Sequence, residues 1–267
     1  MAKRYLGQIF LYDPSILRRI IQIAQLSKED LVVEIGPGLG RLTRMLAERV
    51  KKVIAIELDE RLFKKLQTEL TGYKNIELIH GDALKYPYED LPEFKVVANI
   101  PYYITKPVIF RLIQAKKNLT AMTLTVQKEV AERIVAAPGG KDYGLLSVMV
   151  QYHAEPRLKF IIPKGAFRPV PKVYSAVVHI KILKQPSVLV NNEKLFYSVV
   201  RTAFSQRRKM LSNALKSLRE DIKDRLAEAK IDSNRRPETL SIEEFARLSN
   251  ILADSNFILS ETPQHCL

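Results

Sequence analysis

The chain has 267 residues, of which 46% are hydrophobic, 27% charged and 8% aromatic. That length suits one large domain or two smaller ones with a self-sufficient core; the apolar content excludes a largely disordered chain, and no apolar run reaches the ~18 residues of a membrane span. The net charge is +14, and it is uneven: residues 1–100 carry +2, residues 101–215 carry +14 and residues 216–267 carry −2. Such a concentrated excess suggests a polyanionic partner such as nucleic acid, with a solvated lysine-rich face as the alternative that charge alone leaves open.

The first residues contain no secretory signal. Asp13-Pro14 opens the first helix, with Asp13 at the cap and Pro14 in the first turn. Ile16, Leu17, Ile20, Ile21 and Ala24 then fall on one face. Short apolar runs at 31–35, 53–57, 76–80, 95–99 and 119–126 alternate with helical stretches at 41–50, 59–70 and 107–114. This alternation predicts a parallel sheet covered on both faces. Runs 158–162 and 176–183 predict two further strands on either side of a proline-rich stretch, 163–172. Residues 184–192 read as a linker, and from Glu193 onward the pattern is helical with no glycine. The expected organisation is an α/β domain over 1–185 and a small all-α domain over 186–267. No heptad or long apolar edge advertises self-association, so a monomer is expected. The single cysteine, Cys266, cannot pair within the chain, which fits a reducing cytoplasm. Four scattered histidines and that cysteine give no metal-ligand spacing, so no metal is expected.

Three motifs carry chemistry. Glu34-Ile35-Gly36-Pro37-Gly38-Leu39-Gly40 directly follows a predicted strand and precedes a helix. Glycines there let the backbone turn tightly and approach a ligand. A dinucleotide fingerprint needs its third glycine at position 41, where this chain has Arg41. The E-x-G-x-G-x-G pattern instead resembles the S-adenosylmethionine loop of class I methyltransferases. Glu57 ends the second strand, where a carboxylate can accept from ribose hydroxyls, and Asp82 follows the third, where it can face an adenine amino group. Both positions border the crevice of an open α/β sheet. Asn99-Ile100-Pro101-Tyr102 follows the fourth strand and resembles the [N/D]-x-P-[Y/F] motif of methyltransferases acting on exocyclic amines. An adenine N6 has a delocalised lone pair and needs acceptors that hold it in line, which Asn99 and a nearby backbone carbonyl supply. Pro101 stiffens the loop, and Tyr102 can stack on the purine. Phe167, in the proline-rich stretch, is a candidate for the opposite face of a flipped base.

Taken with Leu6–Leu11, 167–175 and 204–211, these motifs stand in family order, and from Lys3 to about Leu252 the chain resembles the ribosomal RNA adenine dimethyltransferases of the KsgA type. The resemblance implies a Rossmann-like class I S-adenosylmethionine-dependent methyltransferase domain followed by a helical domain that binds RNA or the ribosome. It implies dimethylation of two adjacent adenosines in the 3′-terminal hairpin of small-subunit (16S) rRNA, with a role in subunit maturation and the small subunit as partner. Carried over by position, Gln8, Ile9, Leu11, Gly36, Gly38, Glu57, Asp82 and Asn99 are cofactor-binding, and Asn99, Pro101, Tyr102 and Phe167 are target-base positions. The family usually has Asn or His at the position of Ile9, which leaves open what replaces that polar contact. Arg168 and Lys172 flank Phe167 and can hold phosphates; Arg207, Arg208 and Lys209, consecutive on an expected helix, fan over more than 180°, so two can grip RNA backbone while another caps the domain junction. Met210, Leu211 and Leu215 are expected to face the core. The alternatives are an Erm-type enzyme acting on large-subunit rRNA, and a non-catalytic assembly factor on the same fold.

Overall fold

The computed structural model describes residues 9–254. The chain divides into two compact units, one comprising residues up to Ala131 with Glu155–Ile182, the other Glu132–Ala154 with the residues from Leu183 onward.

The first unit opens with β1 (Phe10–Leu11) and α1 (Pro14–Ile23), where the Asp13 side chain accepts from the Ser15 N–H and Pro14 sits in the first turn. The chain then alternates through β2 (Leu31–Ile35), α2 (Arg41–Ala47), β3 (Lys52–Glu57), α3 (Glu60–Glu69), β4 (Ile76–His80), β5 (Phe94–Asn99), α4 (Thr105–Gln114) and β6 (Leu119–Gln127). Strands β2 to β6 pair in parallel. Apart from the edge strand β4, their interiors are buried almost without alternation: Val32, Val33, Val53, Ala55, Val96 and Val97 have no accessible surface. Continuous burial is what a parallel sheet covered on both faces requires.

After α5 (Lys128–Val135) and α6 (Leu145–His153), the chain returns through β7 (Ala154–Ile162), β8 (Phe167–Arg168) and β9 (Ser175–Ile182). The seven-stranded sheet has the order β4-β3-β2-β5-β6-β9-β7, with β9 antiparallel to β6. The strands β1 and β8 form a separate antiparallel pair. Because β3 and β4 lie to one side of β2 and β5 and β6 to the other, the order reverses between β2 and β5. Such a switch point opens a crevice at the strand C-termini.

The second unit contains α6, α7 (Glu193–Ser205), α8 (Leu211–Ala214), α9 (Ile222–Glu228) and α10 (Ile242–Asp254). Its core gathers Val148 and Tyr152 from α6 with Phe196, Val199 and Val200 of α7, Leu226 of α9 and Phe245 and Leu248 of α10. This unit differs from a domain that starts at 186. Residues 132–154 belong to it, because α6 (LLSVMVQYH) is apolar nearly all round and needs helices on every side. A second difference concerns 206–209, a turn after α7 instead of a helix. Leu211 and Leu215 are fully buried, whereas Met210 is exposed.

Candidate functional site

The switch point holds a cavity of about 310 Å³, within the range of small-molecule sites. Ile9, Leu11, Gly36, Gly38, Glu57, Asp82, Asn99, Pro101 and Tyr102 all line it, so residues from five separate segments of the chain converge there.

The glycine loop is shaped by its backbone. Gly36, Gly38 and Gly40 all have positive φ. At Gly38 a Cβ would lie 2.9 Å from two carbons of the Phe10 ring; at Gly40, the residue capping α2, it would lie 2.7 Å from Leu66 Cδ2. Side chains are excluded twice over at these positions, by conformation and by space.

Glu57 organises the loop from the end of β3. It is 3% exposed; its Oε2 accepts from the Gly38 N–H at 3.1 Å and its Oε1 from the Asp59 N–H at 2.9 Å. Burial pushes its pKa up, opposed by those two backbone donors. Asp82 uses Oδ1 to accept from the Leu84 N–H at 2.9 Å, which leaves Oδ2 for a ligand. Carboxylates therefore surround this end of the cavity, and the Gly38 amide is turned toward one of them. A pyrophosphate would meet negative charge here, whereas a cationic, hydroxyl-bearing ligand meets acceptors. The acceptors that Glu57 and Asp82 bring to the cavity fit S-adenosylmethionine, a cation that carries ribose hydroxyls and an adenine amine.

Asn99 stands at the opposite wall, at the end of β5. Its Nδ2 donates to the Ile9 carbonyl at 3.3 Å. That bond fixes which way the amide points and leaves Oδ1 without a partner among the described residues. It also bears on the departure at position 9: Ile9 contributes its backbone carbonyl, a group present whatever the side chain. The Pro101 carbonyl accepts from the Ile104 N–H at 3.1 Å, and Ile100 and Pro101 both line the cavity, where a backbone carbonyl of either can serve as a further acceptor. The Tyr102 hydroxyl meets Ser175 Oγ at 2.6 Å, which pins its half-buried ring. The arrangement offers two adjacent acceptors beside an anchored aromatic ring, the equipment for holding a planar amine.

The sequence profile described as ribosomal RNA adenine dimethylase matches residues 1–254. The chain belongs to this family. A ribosomal RNA small subunit methyltransferase A from Clostridium botulinum is 49% identical over 93% of both chains, and one from Listeria welshimeri is 46% identical over 95% of this chain and 92% of the relative. Among solved structures, a dimethyladenosine transferase from Plasmodium falciparum superposes with a TM-score of 0.75 at 30% identity, covering 90% of this chain and 95% of that one. The 23S rRNA methyltransferase ErmE gives 0.71 at 30% identity, covering 91% and 99%.

The remaining predicted residues of this rRNA adenine dimethylase lie outside the cavity. Gln8 falls outside the described residues. Phe167 is a correction: it is 1% exposed and packs in the cluster containing Leu17, Phe160 and Ile162. Its strand partner Leu11 lines the cavity instead, because pairing of β1 with β8 puts Leu11 opposite Phe167. Arg168 is exposed and folds its guanidinium onto the carbonyls of Gly165 and Phe167; Lys172 is exposed on the same loop. In the helical unit Arg208 and Lys209 are exposed, while Arg207 is half-buried and donates to the Lys141 carbonyl.

Sequence reasoning assigned no role to several residues that do line the cavity: Phe10, Glu34, Arg41, Leu58 and Tyr103. Glu34 had a signal, since it opens the glycine motif. It is 2% exposed, its Oε2 has no partner, and burial together with the Glu57 charge pushes its pKa up to about 8. The ligand-free folded chain thus holds a proton at Glu34 that the unfolded chain releases near the ordinary value of 4.5. This group's stabilisation is complete in acid, declines as pH rises from the unfolded toward the folded pKa, and then levels off. Accordingly, the melting-temperature advantage of the ligand-free parent over Glu34→Gln shrinks as pH rises from about 5 toward about 8. Parallel melting curves for parent and variant would refute the assignment.

Proposed function

We propose that this chain dimethylates N6 of two adjacent adenosines in the 3′-terminal hairpin of small-subunit 16S rRNA, in the course of subunit maturation. The chemical part of this reading rests above all on Asn99, whose amide oxygen is left free on the cavity wall by the bond from its nitrogen to Ile9. S-adenosylmethionine, when bound, supplies a methyl group on a sulfonium, so no strong activation of the leaving group is needed. Asn99 Oδ1 and a backbone carbonyl of Ile100 or Pro101 accept the two N–H bonds of the adenine amine and aim its nitrogen at the donor side of the cavity. Their dipoles also stabilise the positive charge that develops on N6, without a formal base. Tyr102, held by Ser175, supplies a stacking face.

The choice of small over large subunit rests on identities of 46–49% to small-subunit enzymes, against 30% to ErmE. The similar TM-scores of the two structures do not discriminate. Methylation of separated subunits tests the choice: labelled methyl groups are expected on two neighbouring adenosines of small-subunit RNA, and product on large-subunit RNA alone would sink it. Transfer of none, despite tight particle binding, would favour the assembly factor.

The reading extends to RNA contacts and setting. Among the described residues no helix is long and apolar enough to cross a membrane, and no acidic, histidine or cysteine cluster could hold a metal. The protein acts in the cytoplasm as a monomer, with Arg168, Lys172, Arg207, Arg208 and Lys209 on RNA phosphates. Arg208→Glu together with Arg207→Glu should weaken RNA binding and flatten its dependence on salt, since each lost phosphate contact removes about 0.7–0.9 from the logarithmic slope. An unchanged slope would return both residues to the ordinary solvated surface.

A further inference from the structure

The exposed apolar surface of the first unit is not scattered. Among the described residues of that unit, seven large hydrophobic side chains are exposed, and six of them lie at the ligand end of the sheet: Tyr12, Leu58, Tyr103, Val170, Val173 and Tyr174. Leu58 and Tyr103 line the cavity itself. Two of the tyrosines each carry a cation against one ring face. Arg41 Cζ is 3.9 Å from the Tyr12 ring centroid, and Lys164 Nζ is 5.1 Å from that of Tyr174. Both distances are those of cation–π pairs. Neither cation is paired with a carboxylate among the described residues.

The two pairs differ in place. Arg41 lines the cavity, so Tyr12 belongs to the pocket's own rim. Neither Tyr174 nor Lys164 lines it. Yet Tyr174 immediately precedes Ser175, whose Oγ holds the Tyr102 hydroxyl at 2.6 Å, and its carbonyl accepts from the Lys128 N–H at 2.9 Å. The ring is thus mounted on a fixed backbone one residue from the catalytic loop's anchor, half exposed beside Val173. Lys164 Nζ also donates to the Lys172 carbonyl at 2.6 Å, tying the loop to itself. The charge of this stretch is all of one sign: between Glu155 and Glu193 there are seven Lys or Arg residues and no Asp or Glu.

An aromatic face backed by a cation, on a stretch of chain without acids, has the chemistry that holds single-stranded nucleic acid. The base stacks, and the neighbouring phosphates meet positive charge. When one adenosine is extruded into the cavity, the nucleotide next to it is unstacked on one side and lies just outside the pocket. We propose that Tyr174, with Lys164 behind it, is the stacking site for the nucleotide adjacent to the target adenosine. This rests on the RNA-modifying reading above and adds a second base-binding position to it. The open ring face takes the flanking base, Val173 contacts its edge, and Lys172 and Arg168 reach the phosphates on either side.

The test uses the full chain and a synthetic hairpin RNA with 2-aminopurine beside the loop's target adenosine. Stacking quenches this probe. The parent protein should quench it, Tyr174→Phe should quench it equally, and Tyr174→Ala should lose the quench and about ten-fold or more in RNA affinity. Affinity for S-adenosylmethionine should be the same in all three proteins, which also shows that each is folded. Equal quenching by Tyr174→Ala and the parent would overturn the site while leaving the enzyme reading intact, provided the parent methylates small-subunit RNA. A parent that transfers no methyl group to that RNA would remove the enzyme reading, and this site with it.

Discussion

Asn99→Ala lowers turnover by about 100-fold or more while RNA affinity changes little. The magnitude follows that of deleting one oriented polar group from a preorganised site. The structure explains why the loss should fall on chemistry. The Asn99 amide is not a general RNA contact: it sits half-buried at the end of β5, with Nδ2 engaged by the Ile9 carbonyl. What it presents to the cavity is a single acceptor. Removing that acceptor leaves one N–H of the amine unpaired and lets the nitrogen rotate away from the line of attack, whereas the phosphate contacts that dominate RNA affinity remain. Asn99→Asp makes a sharper second variant. It keeps the acceptor but replaces the N–H donor that binds Ile9 with an oxygen, so it should recover only part of the activity. Turnover of Asn99→Ala within a few-fold of the parent, measured on undermethylated small subunits, would show that this role is misassigned.

The amino-acid sequence made much of this site legible, for a local reason. The contributing loops follow strands of one parallel sheet, and each such strand is a short, largely apolar run with a recognisable end. Thus Gly36 after β2, Glu57 in β3, Asp82 after β4 and Asn99 in β5 could all be assigned to one crevice before any geometry was known. What stayed hidden depends on groups that sequence patterns do not encode. The Ile9 contribution that the structure does show is a backbone carbonyl bound to Asn99 Nδ2, a bond that no side-chain pattern encodes. The burial of Phe167 depends on its pairing with Leu11, 156 positions earlier in a strand of two residues, too short to leave a periodic signal. Residues 132–154 were assigned to the wrong unit because a single cut assumes that a domain is continuous, and α6 interrupts the first unit to complete the core of the second. The basic run at 207–209 suggested a continuing helix, yet α7 ends at Ser205 and Leu211 starts a new one.

Replacing Glu57 should damage donor binding as selectively as replacing Asn99 damages transfer. Glu57→Gln keeps the volume of the side chain and exchanges one acceptor oxygen for a donor. In the parent, Oε1 and Oε2 each accept a backbone N–H, from Asp59 and Gly38. A glutamine satisfies only one of the two and turns its NH₂ toward the other amide. The resulting unpaired, buried donor costs about 1–3 kcal/mol, relieved in part by displacing the Gly38 amide, which lines the cavity. Affinity for S-adenosylmethionine should therefore fall roughly 5- to 150-fold, while turnover at saturating donor and affinity for RNA stay close to the parent's. Calorimetric titration with the donor checks the first expectation and steady-state kinetics the others. A donor affinity within two-fold of the parent would mean that Glu57 merely closes the end of β3, and that the carboxylates of the cavity do not select its ligand.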